Sequence, residues 1–186
     1  VAWHAWRAIG APDGRVIGTG TLLEAARLAY YLGEATGVAA ADVDAWVLGE
    51  HGDAQVPIFS RTTVAGRPAR EAATPAVLAD CAERTRTAAW AVRATQPGTW
   101  WAVTDCAVEI LRCLLGEDER TGPAGVRLEG AWAEALGGAD AFVSLPVRLR
   151  QGGYDLVEPA AFGALDPDEW ASLRAAAEVV AEATRA

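Results

Sequence analysis

Along the chain, apolar residues fall at helical spacing in some stretches and alternate with polar residues in others, and the switches mark the elements. Residues 1–8 read as the last turns of a helix, with Trp3 and Trp6 on one side and Gly10 as its terminator. After a turn at 11–14 and a short strand at 15–18, Thr21 opens a helix that runs to about Thr36 and stops at Gly37. Residues 43–48 alternate in the period of a sheet. Residues 61–70, with Gly66 and Pro68, form a polar connector. Thr74-Pro75 is an N-cap and N1 pair opening a helix to about Thr95. Pro97-Gly98 breaks it, and Thr99 starts a further helix ending at Gly116. A loop at 117–125 leads to strands at about 126–128, 141–145, 147–150 and 154–157, with Gly152-Gly153 as a hairpin turn. Asp166-Pro167-Asp168-Glu169 caps a last helix whose Trp170, Leu173, Ala177 and Val180 form its apolar stripe.

One stretch breaks these patterns. In VLGEHGDAQVPI, residues 47–58, a strand ends at Gly49 and then Glu50, His51, Gly52 and Asp53 crowd together before Pro57. A polar tip at the end of a buried strand is held in place yet stays accessible, which suits function. The residues alone leave His51 three roles. It is a solvated turn histidine, a general acid/base that titrates near neutral pH, or a metal ligand with Glu50 and Asp53. The metal role is the weakest, because adjacent residues rarely converge on one ion and no second histidine or spaced cysteine stands nearby.

Composition narrows the classes. The chain has 186 residues, 52% of them hydrophobic, enough for one domain (1–186) with a real core. A formal net charge of −9 argues against nucleic acid or an anionic membrane as partner. No apolar run is long enough to span a bilayer and no signal peptide stands before the first helix, so the expected location is cytoplasmic. Three cysteines without CxxC spacing read as reduced thiols, Cys106 and Cys113 sharing a helix face. There is no Met, Lys or Asn, and every basic residue apart from the two histidines is Arg. No G-x-G-x-x-G follows a strand, so the dinucleotide fingerprint is missing.

The run GEHGDAQVPIFS closely resembles the active-site segment of the lactate/malate dehydrogenase family, and its lactate branch in particular. RVIGTGTLLEAAR resembles the segment opening that family's second domain, VAWHAWRAIGAP the helix end before it, and GTWWAVTDCAVEILR the helix lining the substrate pocket. VRLEG, GGADAFVSLPVRLRQGGYDLVEP and the last helix follow in the family's order. The resemblance covers essentially the whole chain. It implies an α+β fold, an antiparallel sheet with packed helices, as the C-terminal substrate-binding and catalytic part of a longer chain whose cofactor domain lies upstream. It also implies NAD as cofactor, held mainly by that upstream part, a small 2-oxo/2-hydroxy acid as substrate, and a homo-oligomer. The 186 residues alone are therefore expected to be inactive.

Site residues carry over one by one. His51 matches the proton-transferring histidine, Arg27 the arginine that grips the substrate carboxylate, and Thr99 the threonine lining the pocket. Val103 matches the apolar residue that touches the nicotinamide. Glu24 falls where the family has an aspartate that orients the histidine. From the residues alone, Thr21-x-x-Glu24 reads first as a capping box, with Glu24 bonded back to the helix start, and the resemblance shifts that reading. Trp100 and Trp101 read as core or interface. Ala54 replaces a small hydroxyl residue common in the family. At the positions where some lactate dehydrogenases bind a sugar-phosphate activator, this chain has Ala29 and Asp44, so an anion is expected to meet no cation there. The alternatives to a lactate enzyme are a malate dehydrogenase, and a non-redox paralogue that binds a small carboxylate; the Glu at position 24 keeps the second open.

Overall fold

The computed structural model describes residues 1–12 and 14–185. The turn expected at 11–14 includes Asp13 and so lies partly outside the described residues. Helix α1 (Ala2–Ile9) and helix α2 (Leu22–Thr36) each end at a left-handed glycine, Gly10 and Gly37, where the sequence predicts the stops. A 3-10 turn (Ala40–Asp42) leads into strands β1 (Val43–Asp44), β2 (Val47–Gly49) and β3 (Gln55–Pro57). Then come β4 (Thr63–Val64), β5 (Arg67–Pro68), α3 (Ala69–Ala72), α4 (Pro75–Arg93) and α5 (Trp100–Leu115). The chain continues through β6 (Arg120–Arg127), α6 (Gly130–Ala135), β7 (Phe142–Arg150), β8 (Gly153–Leu156), α7 (Pro159–Phe162) and α8 (Pro167–Arg185).

The strands make two antiparallel sheets with helices packed on them, the expected α+β arrangement. A small sheet has the order β1-β4-β5; the larger one runs β3-β2-β7-β6, with β8 also on β7. β2 and β8 share one edge of β7, Gly49 pairing with Ser144 and Leu156 with Val147. The main core lies between the large sheet and helices α5 and α8, around Leu48, Ile58, Val126, Trp132, Leu145 and Leu173. A second cluster, with Leu28, Leu32, Val47, Val64 and Leu78, joins α2 to the small sheet and α4. Helix α2 serves both, through Leu22 and Leu23 on one side and Leu28 and Leu32 on the other. Each fully buried leucine contributes roughly 1.5–3 kcal/mol. The exposed Arg84–Glu34 ion pair between α4 and α2 adds at most about 1 kcal/mol, so burial holds α2 in place.

Several expected elements differ. The alternating strand at 43–48 is two strands in two sheets, broken at Ala45-Trp46, and Val47 and Leu48 are both buried because each face of β2 meets a core. The strand at 15–18 is a single bridge, Gly18 to Gly125. The connector at 61–70 is a β4–β5 hairpin running into α3, turned by Ala65 and Gly66 at positive φ. The loop at 117–125 is mostly β6, and the two strands at 141–145 and 147–150 are one, β7. Prolines hid both, since a proline lacks a ladder donor. The register explains the tolerance: Pro123 faces Pro146, a position where antiparallel partners need exchange no hydrogen bond. Pro146 turns its carbonyl the other way, accepting from Val157 N–H. The hairpin turn is Gln151-Gly152, one residue earlier than expected. Trp100 and Trp101 are exposed, so neither is core. No helix among the described residues is long and apolar enough to cross a membrane.

The entry to α2 is set by close backbone packing. Gly18 and Gly125 exchange both hydrogen bonds, at 2.7 and 3.0 Å, on the outer edge of β6. Gly20 has φ +53, and a Cβ there would stand 2.5 Å from both Gly125 N and Ser144 Oγ. Gly37 has φ +72 with open space around it. Gly37→Ala therefore costs only the left-handed strain, about 1 kcal/mol. Gly20→Ala adds a collision with backbone and costs roughly 2–4 kcal/mol. Denaturant midpoints of the two variants check the difference; equal losses would remove the close-packing argument.

Candidate active site

Helix α2 presents Glu24 and Arg27 one turn apart, on one face. Glu24 is only 3% exposed and Arg27 15%, and Arg27 Nη1 donates to Glu24 Oε1 at 3.2 Å. Thr21 is the N-cap residue of α2, but its side chain makes no capping bond. The capping box is therefore absent, and the Glu24 carboxylate is free to turn toward the loop after β2. There, His51 Nδ1 lies 3.1 Å from Glu24 Oε2. Among the described residues no donor meets Oε2 with hydrogen-bond alignment, so the imidazole sits at contact distance, off the ideal line. Catalytic hydrogen bonds are commonly loose without substrate and tighten on binding.

The imidazole itself is 61% exposed. With Nδ1 turned to Glu24, Nε2 faces away and is available to a ligand. The Glu24 contact raises the His51 pKa above its ordinary 6.5, and the nearby charge of Glu50 adds to this; partial burial and Arg27 oppose it. A raised value means the proton is held at neutral pH more firmly than on a free imidazole.

Three contacts fix the loop that carries His51. Glu50 Oε2 accepts the Ala54 N–H at 2.9 Å, and Gln55 Nε2 donates to Gly52 O at 3.0 Å. Asp53 pairs with Arg86 of α4 at 2.8 Å, while Arg86 also grips Glu83. Arg86 lies 33 residues from Asp53 and in the sequence reads as one of many solvated helix arginines. Glu50, a possible metal ligand by its place in the sequence, instead closes the loop onto Ala54. Among the described residues no three His, Cys, Asp or Glu side chains gather where they could hold an ion.

Helix α5 runs past this group. Its buried Cys106 has its pKa raised by burial first and by Glu24 second, so α5 passes within electrostatic reach of the carboxylate. Val103 lies one turn before Cys106; it is half-buried and packs on the main core. Thr99 caps α5, half-buried, without a side-chain capping bond. Cys113 is buried on the same helix face, and all three cysteines are free. A cleft of about 550 Å³ opens beside His51, lined by Val16, Ile17, Gly18, Gly20, Gly49 and Glu50 among others. Its walls are mostly glycine and apolar residues, with no arginine to hold a phosphate; Thr99 and Val103 do not line it. The structure thus brings His51, Glu24 and Arg27 together and leaves Thr99 and Val103 on the neighbouring helix.

A separate pocket corrects one expectation. Ala29 and Asp44 do line a common pocket, but Arg120 lines it as well, so a cation is present there. Arg120 is already paired with Glu109.

Comparison with known proteins identifies the family and its fold. The family description "lactate/malate dehydrogenase, alpha/beta C-terminal domain" matches residues 21–184. An L-lactate dehydrogenase of Halalkalibacterium halodurans is 33% identical over 159 residues, covering 85% of this chain and 50% of that protein. A malate dehydrogenase of a Synechocystis species is 34% identical over 183 residues, covering 97% of this chain and 54% of that protein. The solved malate dehydrogenase of Salinibacter ruber superposes with a TM-score of 0.88 at 30% identity, over 99% of this chain and 58% of that one. The chain therefore spans about half the length of the relatives it matches. By its matched residues and its fold, it belongs to the lactate/malate dehydrogenase family as that family's C-terminal domain.

Proposed function

We propose that this chain supplies the substrate-gripping and proton-transferring part of an NAD-dependent 2-hydroxyacid dehydrogenase, most like L-lactate dehydrogenase. One observation carries the reading: a single buried carboxylate, Glu24, stands 3.2 Å from Arg27 and 3.1 Å from His51. That arrangement joins an anion grip to an acid/base group. The Arg27 guanidinium holds the carboxylate of a small 2-oxo acid in its planar fork. His51, protonated, gives its Nε2 proton to the carbonyl oxygen; in the opposite direction it takes the proton from the hydroxyl. Glu24 holds Nδ1–H, fixes the tautomer and stabilises the imidazolium. NAD, when bound, supplies or accepts the hydride at the neighbouring carbon. The cleft beside His51 suits the flat nicotinamide end of such a cofactor, which carries no phosphate; lacking a phosphate cradle, it leaves the rest to residues outside this chain. Thr99 and Val103 stand on α5 outside that cleft; the family resemblance alone assigns them to the substrate pocket and the nicotinamide.

Malate is the second reading, favoured by the Synechocystis relative, which matches as much of the chain as the lactate enzymes do. Comparing pyruvate with oxaloacetate as substrates of the full-length protein separates the two. A non-redox carboxylate-binding role would leave both without turnover.

In the full-length protein, His51→Ala slows turnover by ~10²–10⁴, the usual scale for a lost general acid/base. Near-normal turnover would make His51 a solvated turn residue. Arg27→Lys raises KM by roughly 10- to 10²-fold, the loss of a charge-assisted pair of hydrogen bonds; unchanged affinity would exclude the grip.

The pH dependence follows from the raised His51 pKa. Carbonyl reduction needs the imidazolium, so its rate is full below the raised value and falls as pH rises through it. The stability that the His51–Glu24 contact contributes has the same sign, present in full below about 6.5 and lost as pH passes the folded-state value. Glu24→Gln removes the largest raising cause and moves the rate midpoint to lower pH, with turnover collapsing while the fold survives. A Gln variant with parental activity and an unmoved midpoint would contradict the role of Glu24.

A further inference from the structure

The sites on α2 and on the β2 loop belong to different elements, and something must set the distance between them. Trp46 turns its carbonyl toward β3, accepting Ile58 N–H at 2.8 Å. The Val47 carbonyl therefore faces the opposite edge. On that edge β7 pairs with β2 only at Gly49, so the ladder supplies no donor to Val47. The group that fills the place is a side chain, the Thr21 hydroxyl, which bonds Val47 O. Thr21 Oγ1 also lies 2.7 Å from Ser144 Oγ, and Thr21 N–H donates to Ser144 Oγ at 3.0 Å. The protons allow one consistent assignment: Thr21 N–H to Ser144 Oγ, Ser144 O–H to Thr21 Oγ1, and Thr21 O–H to Val47 O. Both side chains are fully buried. All three donors at this junction are used, and three elements, α2, β2 and β7, meet at two hydroxyls.

Geometry makes this junction matter for the site. Glu24 follows Thr21 by one helical turn, and Arg27 by two. His51 follows Val47 by four residues. The cleft beside His51 has Ser144, Gly49 and Gly20 in its wall. The groups facing His51 are Glu24 and Arg27 from α2 and Glu50 from its own loop, with Cys106 of α5 behind Glu24. Any change in the α2–β2 separation reaches the Glu24–His51 contact directly.

We propose that Thr21, with Ser144, is a positioning residue for the His51–Glu24–Arg27 site, its hydroxyl fixing the helix that bears the carboxylate against the strand that bears the imidazole. The proposal rests on the catalytic reading of those three residues. Substrate grip depends on Arg27 and on α2 alone, whereas proton transfer depends on the α2–β2 separation. Loss of the hydroxyl therefore acts on kcat far more than on KM.

The test uses full-length Thr21→Val, Thr21→Ser and Ser144→Ala, assayed well below their unfolding temperatures, with His51→Ala as control. The His51 imidazole is also titrated by NMR, its signal assigned by its loss in the control. Thr21→Val, of equal shape without the hydroxyl, is expected to lose ~10- to 10²-fold in kcat, the scale of a small misplacement. Its KM should change by less than about threefold, and its His51 titration midpoint should fall toward the ordinary imidazole value. Thr21→Ser should restore kcat and midpoint, and Ser144→Ala should shift both in the same direction by less. If Thr21→Val does not fold, the Ser144→Ala result decides. A folded variant that lowers stability alone, with kcat and His51 midpoint as in the parent, would overturn the proposal. The control keeps the two readings apart. If His51→Ala turns over normally, the catalytic reading fails; if it collapses while the Thr21 and Ser144 variants do not, only the positioning role fails.

Discussion

A buried negative charge is the constraint around which this structure is arranged. Glu24 is almost wholly removed from water, and an unpaired carboxylate in that position would cost several kcal/mol. Two cationic or protonatable partners offset it, Arg27 on the same helix and His51 from the loop after β2. The pairing is uneven. Arg27 meets Oε1 with hydrogen-bond alignment, whereas His51 approaches Oε2 off the ideal line. The same carboxylate also explains why α2 must be held firmly: on a helix that slid it would carry Arg27 along but lose His51.

Firm placement comes from packing and from backbone satisfaction, since the ion pairs nearby are mostly exposed. Leucines on two sides of α2 sink into both cores, and glycines at 18, 20 and 125 let its entry lie directly against β6. The loop of His51 is held differently, by its own side chains. Glu50 and Gln55 close it onto itself, and Asp53 reaches α4 through Arg86. An exposed pair of that kind contributes little to stability. Its effect is on where the loop rests.

The sheet shows the same economy with prolines. Pro123 and Pro146 face each other where no ladder bond is needed, so two residues that would interrupt a strand sit inside long ones. This allows β7 to run uninterrupted from Ser144, beneath the site, to the β8 hairpin. One strand thereby ties the active-site edge of the sheet to the core under α8.

By itself the sequence determined the elements whose causes are local. Glycine stops at 10, 37 and 116, the Thr74-Pro75 start and the Glu169 carboxylate bonding back to Asp166 N–H all act within a few residues. It also determined the family, because GEHGDAQVPIFS and TGTLLEAAR are specific runs, and with it the three residues that the fold brings together, His51, Glu24 and Arg27. What it left open was decided by contacts distant in the chain. Glu24 had two local roles, and capping gave way because the Thr21 hydroxyl is drawn off to Val47 O and to Ser144, 123 residues away. Strand β6 and the continuity of β7 were hidden since a proline's fitness for a strand depends on its register with a partner. Val47 and Leu48 broke the alternation because both faces of β2 are covered. Arg86 and Arg120 carried no mark among sixteen basic residues; only folding put one on the His51 loop and the other beside Asp44. Local rules see neighbours along the chain, and the distances at this site are set by neighbours across it.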